Sequence, residues 1–287
     1  MKNCFVTKLK GVVNDNTLTK LGYFNVYWNG NTNPTQDTQT LQLEFSSDVV
    51  AEIFDGVGEI KPGGDMSAQG VQSISIPANT KTMLTVVSEN GCHVRIGGKY
   101  DIKVCETRGS SHPMEVNISD FKYSQASILN LFSCEYAKGS INDIPASVYS
   151  LQVGGNQNLT GDLSVFEGRT NLTLLQLNGS KDITGDIISL GGMVDATMLI
   201  CFNLSITGSV ESLMETLHKN GKRTPLNSFS MYGMHGRVTL NGIVQGLTVP
   251  TQKVDFSENS IVIKNYFNDS VVASCSVSGG VYTWTYA

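Results

Sequence analysis

From residue 128 onward, the apolar positions recur with a period too long for any single helix or strand. ILNLFSCEYAKGSI (128–141), SLQVGGNQNLTGDL (150–163), LLQLNGSKDITGDI (174–187), TMLICFNLSITGSV (197–210), SFSMYGMHGRV (228–238) and KVDFSENSI (253–261) align on one pattern. Its anchors, Leu129, Leu151, Leu175, Met198, Phe229 and Val254, lie 22, 24, 23, 31 and 25 residues apart. Apolar residues two apart share one face of a short strand. A Gly follows at 139, 161, 185, 208 and 236, then a second apolar row at Ile141, Leu163, Ile187, Val210 and Val238. Gly suits a tight bend or a close approach between neighbours. The pattern predicts six stacked coils whose apolar rows merge into one interior.

The 31-residue interval holds VESLMETLHKNGKR (210–223). There Val210, Leu213, Met214 and Leu217 form one helical stripe, with Gly221 placed as a stop. The spacing predicts a true helix here and only turns or 3₁₀ segments in the other coils. The basic end, His218-Lys219-Lys222-Arg223, reads as cations at a helix C-terminus, with a docking patch as the alternative. At the C-terminus, VVASCSVSGGVYTWTYA alternates on both sides of Gly279-Gly280 and predicts a hairpin. Tyr282, Trp284 and Tyr286 fall on one face of it, as a cap over the last coil or as a sugar-stacking ladder.

Before residue 118 the periodicity changes. FNVYW (24–28), TLQLEF (40–45), VAEIF (50–54), SISIP (73–77), MLTVV (83–87), HVRI (93–96) and YDIKV (100–104) are short, alternating and β-branched, with Gly, Asn and Pro clusters between them. That signal predicts a β-sandwich or jelly-roll. The expected organisation is a β-sandwich attachment or assembly domain over 1–118, the repeat over 119–265 and a hairpin cap over 266–287. The fold class is mainly β.

Charged residues make up 16% of the 287-residue chain, against roughly 25% in an average globular protein. Gly, Ser, Thr and Asn replace them. A net charge of −5 gives no broad attraction to nucleic acid or anionic membrane, and no run approaches the ~20 apolar residues that span a bilayer. The six cysteines (4, 92, 105, 134, 201, 275) form no CxxC, which argues against structural zinc. Cys92 and Cys105 are read as free thiols, with a disulfide as the alternative. The four histidines lie at no metal-ligand spacing. GxSxG, phosphate-loop and HExxH motifs are absent, so no catalytic residue, cofactor or metal is expected. Asp162 and Asp186 recur in register and read as solvated turn residues, although a carboxylate pair assembled by folding remains open.

Binding is the better expectation. Between the inward anchors, Asn130, Gln152, Gln176, Leu199, Ser230 and Asp255 make one outward row, and Phe132, Gly154, Asn178, Cys201, Tyr232 and Ser257 the next. From these, Asn130, Phe132, Gln152, Gln176, Asn178, Tyr232 and Asp255 are the candidate binding residues. They form an amide-rich face with a few aromatics and little charge, suited to a glycan or peptide. A plain solvated sheet, or one covered by another subunit, is the alternative.

The pattern LxLxxN/C-xLxGxI, with its LxxLxL lead-in at Leu172-Leu175-Leu177, resembles the leucine-rich repeat. The resemblance implies a ladder of turn residues at Cys134, Asn156, Ser180, Asn203 and Asn259 that satisfies backbone groups of adjacent coils, broken at Met234. The opening MKNCFVTKLKGVVNDNTLTKLG, a β domain and then such coils is similar to structural or adhesive proteins of gut Bacteroidetes and their phages. That resemblance implies a non-enzymatic virion protein, a tail or head fibre component, made in the host cytoplasm without a leader. Its expected partners are other virion proteins, a host surface glycan or protein, and further copies of itself. The alternatives are a bacterial repeat protein that binds protein or glycan, located in the cytoplasm or at the surface, and a polysaccharide-degrading enzyme.

Overall fold

Among the described residues, alternation of apolar and polar positions builds two large mixed sheets beside one short α-helix. The computed structural model describes residues 22–28, 39–54, 57–62, 73–87, 92–108, 112–132, 134–153, 158–232, 236–246 and 251–287. The first nine strands are β1 (Phe24–Trp28), β2 (Gln39–Phe45), β3 (Val49–Phe54), β4 (Val57–Pro62), β5 (Ser73–Ile76), β6 (Thr82–Val87), β7 (Cys92–Ile96), β8 (Ile102–Arg108) and β9 (His112–Asn117). They pair antiparallel in two layers, β9-β1-β7-β3-β5 and β8-β2-β6-β4. Phe24, Val26, Leu41, Leu43 and Phe45 lie fully buried between the layers.

Both layers continue without a break into the repeat. The strands β10 (Ile128–Leu131), β12 (Ser150–Val153), β14 (Leu174–Asn178), β16 (Met198–Phe202) and β18 (Leu226–Tyr232) pair parallel in succession. They join β8, also parallel, in a 13-stranded sheet. The alternate strands β11 (Cys134–Ser140), β13 (Asn158–Asp162), β15 (Asp182–Asp186), β17 (Ser205–Ser209) and β19 (Arg237–Leu240) run parallel from β9 in the 11-stranded sheet, which ends at β20 (Ile243–Val244). Each coil thus contributes one strand to each sheet. The coils return through 3₁₀ segments η1 (Ile118–Phe121), η2 (Ile141–Asp143), η3 (Leu163–Phe166) and η4 (Ile187–Gly192), and through α1 (Val210–Lys219) in the long interval. Val210, Leu213, Met214 and Leu217 of α1 are buried, as their stripe predicts.

One apolar cluster runs from Phe24 to Cys275. Its rows in the 13-stranded sheet are Leu129, Leu151, Leu175, Leu199, Phe229 and Leu131, Val153, Leu177, Cys201, Met231. This corrects the fourth copy. Leu199, not Met198, stands opposite Leu175, so Leu199 and Cys201 face inward while Ile200 and Phe202 face out. The reason is a turn one residue shorter. From anchor to Gly the spacing is ten at Leu151–Gly161 and Leu175–Gly185 but nine at Leu199–Gly208. Asn203 absorbs the deletion with a left-handed φ of 59°.

The sixth copy is also corrected. β21 (Gln252–Phe256) pairs antiparallel to β18, and β22 (Ser260–Asn265), β23 (Val271–Ser278) and β24 (Val281–Tyr286) follow as an antiparallel meander. KVDFSENSI is therefore the first hairpin of that meander rather than a parallel coil. Asn259 lies exposed in its turn and holds no ladder position. The hairpin expected at Gly279-Gly280 is present, both glycines having positive φ. Cys105, Cys134, Cys201 and Cys275 are free, so Cys105 is not bridged. No described helix is long and apolar enough to cross a membrane.

Candidate functional site

The outward face of the parallel run gathers most of the predicted residues. Asn130, Gln152 and Gln176 stand opposite one another on adjacent strands, half-buried, followed in the same row by Ile200 and Ser230. Gln152 Nε2 donates to Gln176 Oε1 at 3.3 Å. Asn130 Oδ1 accepts from the Phe132 N–H at 3.3 Å and so fixes its own turn. The row extends beyond the repeat, because Glu106 of β8 stands opposite Asn130 and Gln42 of β2 opposite Glu106. Sequence reading missed these two, since they lie outside the repeat. They become legible only once β8 is seen to be a coil strand.

Beside the amides runs a row of rings. Phe202 and Tyr232, opposite each other on β16 and β18, stack with centroids 5.3 Å apart and planes 13° from parallel. Burial raises the Tyr232 phenol above its ordinary pKa, so it remains a neutral hydrogen-bond donor at physiological pH. Phe132 is 47% exposed at the far end of the row. Phe202 had no place in the expected row because of the phase shift in its coil.

Two predicted binding residues are corrected. Asn178 lies in the ring row, opposite Phe202, but only 6% of it is accessible and its Oδ1 has no partner. So little of it is accessible that it offers almost no contact surface. Asp255 sits on the antiparallel β21, where its Oδ2 accepts from Lys264 Nζ at 2.6 Å. It therefore belongs to the meander rather than to the parallel run.

The ladder is partial. Cys134 Sγ donates to the Met114 carbonyl of the preceding coil at 2.9 Å, as the ladder role requires. Ser180 is fully buried. Asn203 spends its conformation on the short turn, and its buried Oδ1 has no partner. Asn156, Gly154 and Met234 lie outside the described residues.

A second ladder, of which the sequence singles out only Asp162 and Asp186, as solvated turn residues, runs through the described coils. Asn117, Ser140, Asp162, Asp186 and Ser209 each cap the helical segment that follows, accepting from a backbone N–H two or three residues on. Ser164 N–H donates to Asp162 Oδ1 at 2.9 Å, and Thr184 Oγ1 of the next coil to Oδ2 at 2.9 Å. These bonds from Ser164 and Thr184 hold the Asp162 carboxyl below its ordinary range. The carboxylate is committed to structure.

The basic cluster and the aromatic ladder are committed as well. His218 Nε2 donates to the Ser257 carbonyl at 2.8 Å, and Nδ1 is hydrogen-bonded to Tyr282 Oη at 2.9 Å. Lys222, wholly buried, donates to the Val194 and Ala196 carbonyls at 3.0 and 2.6 Å. Burial lowers its ammonium pKa to about 8. Arg223 Nη1 donates to the His218 carbonyl at 2.9 Å. From the hairpin, Trp284 Nε1 donates to Glu215 at 3.0 Å and Tyr286 Oη to Glu211 at 2.8 Å. The Tyr282–Trp284–Tyr286 face thus packs against α1 rather than lying open for sugars.

Burial raises the thiols of Cys105 and Cys201, the latter to about 12, so neither is a thiolate near neutrality. The described residues contain no group of three or more metal-ligating side chains. Compared with family models, curated proteins and solved structures, the chain matches none.

Proposed function

We propose that the chain is a non-enzymatic binding and assembly protein, in which a leucine-rich-repeat solenoid extends a jelly-roll-like sandwich. Its setting is a phage virion, as part of a tail or head fibre. The binding face is the outward side of the parallel run in the 13-stranded sheet. The observation that carries this reading is the side-by-side pairing of an amide row (Asn130, Gln152, Gln176) with the Phe202–Tyr232 stack across adjacent strands. Amides supply paired donors and acceptors and rings supply flat apolar area, a combination that recognises an uncharged polar polymer such as a glycan or an extended peptide. The commitment of Asp162 to helix capping and the raised thiol pKa values favour binding over catalysis. The virion setting rests on the resemblance in layout, with the sandwich as the attachment end.

Two measurements test this reading. Purified particles should contain the chain in stoichiometric copies, and its absence from them would leave a bacterial binding protein as the account. Host surface polysaccharide should retain the purified protein, and Gln176→Ala with Tyr232→Ala should weaken retention at least tenfold at unchanged thermal stability. Undiminished retention would move the site elsewhere. Release of reducing ends from the polysaccharide would replace binding by catalysis.

A further inference from the structure

Among the described residues the two sheets end in four strands, β20 and β5 in one and β24 and β4 in the other. An edge strand exposes unpaired N–H and C=O groups that template pairing with another chain, and proteins blunt such edges with short length, Lys or Pro. Three of the four are blunted. β20 has two residues, β5 has four and is followed directly by Pro77, and β4 (VGEIKP) carries Glu59, Lys61 and Pro62. β24, VYTWTY, has six residues and contains neither a charge nor a proline. Val281 is 65% exposed and Tyr286 36%. Among the described residues no strand pairs with its outer side.

The register shows which groups that edge offers. Ala287 N–H donates to the Val272 carbonyl, and Thr285, Thr283 and Val281 stand opposite Ser274, Ser276 and Ser278. In an antiparallel ladder alternate residues bond to the same neighbour. Val281, Thr283 and Thr285 therefore bond inward to β23, while the main chains of Tyr282, Trp284 and Tyr286 point outward. Their side chains are held on α1, which fixes the strand in an extended, rigid form.

We propose that β24 is a self-association edge, pairing antiparallel with β24 of a second copy about a two-fold axis at Trp284. Such an interface is isologous, since the same patch serves both partners. Tyr282 meets Tyr286 of the second copy and Trp284 meets Trp284, giving about six backbone hydrogen bonds. Between them Thr283 faces Thr285 of the second copy, a neutral β-branched pair with no like charges to separate. The 13-stranded sheet then continues through the axis. Thr283 and Thr285 lie on the side of the sheet opposite the α1-packed aromatics, so the outward side of each copy joins that of the other. This inference does not depend on what the amide face binds.

Sedimentation velocity on the full chain tests it, with paired charge variants. The parent should sediment as a dimer. Thr283→Lys with Thr285→Lys places lysines opposite lysines across the axis and should give a monomer whose melting temperature and circular dichroism match those of dissociated parent. Thr283→Glu with Thr285→Glu should do the same, and an equimolar mixture of the two variants should restore a dimer. A parent that stays monomeric at about 100 µM, or a double-lysine variant that stays dimeric, overturns the proposal. Two monomeric variants that fail to recombine overturn the register.

Discussion

At the scale of single residues, the recurring Gly and the polar residue after it have a common cause. In the 13-stranded sheet equivalent positions face each other, Leu151 opposite Leu175, but in the 11-stranded sheet partners are offset by two, Gly139 standing opposite Leu159. Gly139, Gly161, Gly185 and Gly208 are thereby carried over the start of the preceding coil's 3₁₀ segment, whereas Gly236 is out of phase with them and lies against the Ile206 backbone. A Cβ on Gly161 would lie 2.6 Å from Ile141 Cγ1 and 2.8 Å from Asn142 Oδ1, at a φ of 126° that side chains avoid. Gly161→Ala should therefore cost about 2–3 kcal/mol in urea unfolding; a loss below about 0.5 kcal/mol would show that the coils do not approach so closely. The sequence makes the row of glycines visible but not the offset, because alternation records faces and not register. The same blindness explains the fourth coil. MLICF is apolar at every position, so only the Gly and Asn landmarks could set its phase, and the short turn displaced both.

Among the elements, α1 and the C-terminal meander depend on one another. The helix was legible from a four-residue stripe, and the hairpin from Gly-Gly between two alternating runs. Their contact was not, because nothing in VYTWTY says which way its rings face. Nor could alternation in KVDFSENSI distinguish a parallel strand from an antiparallel one. The contact turns on Glu211. Burial alone would raise its carboxyl, but bonds from Ser209 Oγ, the Asn241 N–H, its own N–H and Tyr286 Oη together hold it below its ordinary range. A carboxyl depressed in the folded state stabilises above its unfolded pKa, and that contribution is lost as pH falls through the folded value. Below about pH 4 the hairpin should loosen from α1. The chain has two tryptophans, so in a Trp28→Phe background the emission of Trp284 should shift to the red in acid before the far-ultraviolet circular dichroism changes. Coincident changes in both signals would mean that the hairpin is not held through this carboxylate.

Over the whole molecule, two sheets and one apolar cluster pass from the antiparallel layers into the parallel run without interruption. The strands β8 and β9 explain this continuity. They belong to the antiparallel layers through β2 and β1, and to the parallel run through β10 and β11. YDIKV and HPMEVN carry no Gly and no LxL, so their sequence reads as sandwich and join while their pairing is that of a coil. The amide row crosses the same seam, which is why its first half was legible in the repeat and its extension to Glu106 and Gln42 was not. Stability should then be shared between neighbouring coils rather than held locally. The most direct measurement is amide hydrogen exchange on Leu177→Asp, which buries a charge at a position with no access to solvent. Protection should be lost together across β12, β14 and β16 and their partners β13, β15 and β17. Loss confined to 174–178, with the adjacent strands as protected as in the parent, would contradict a shared interior.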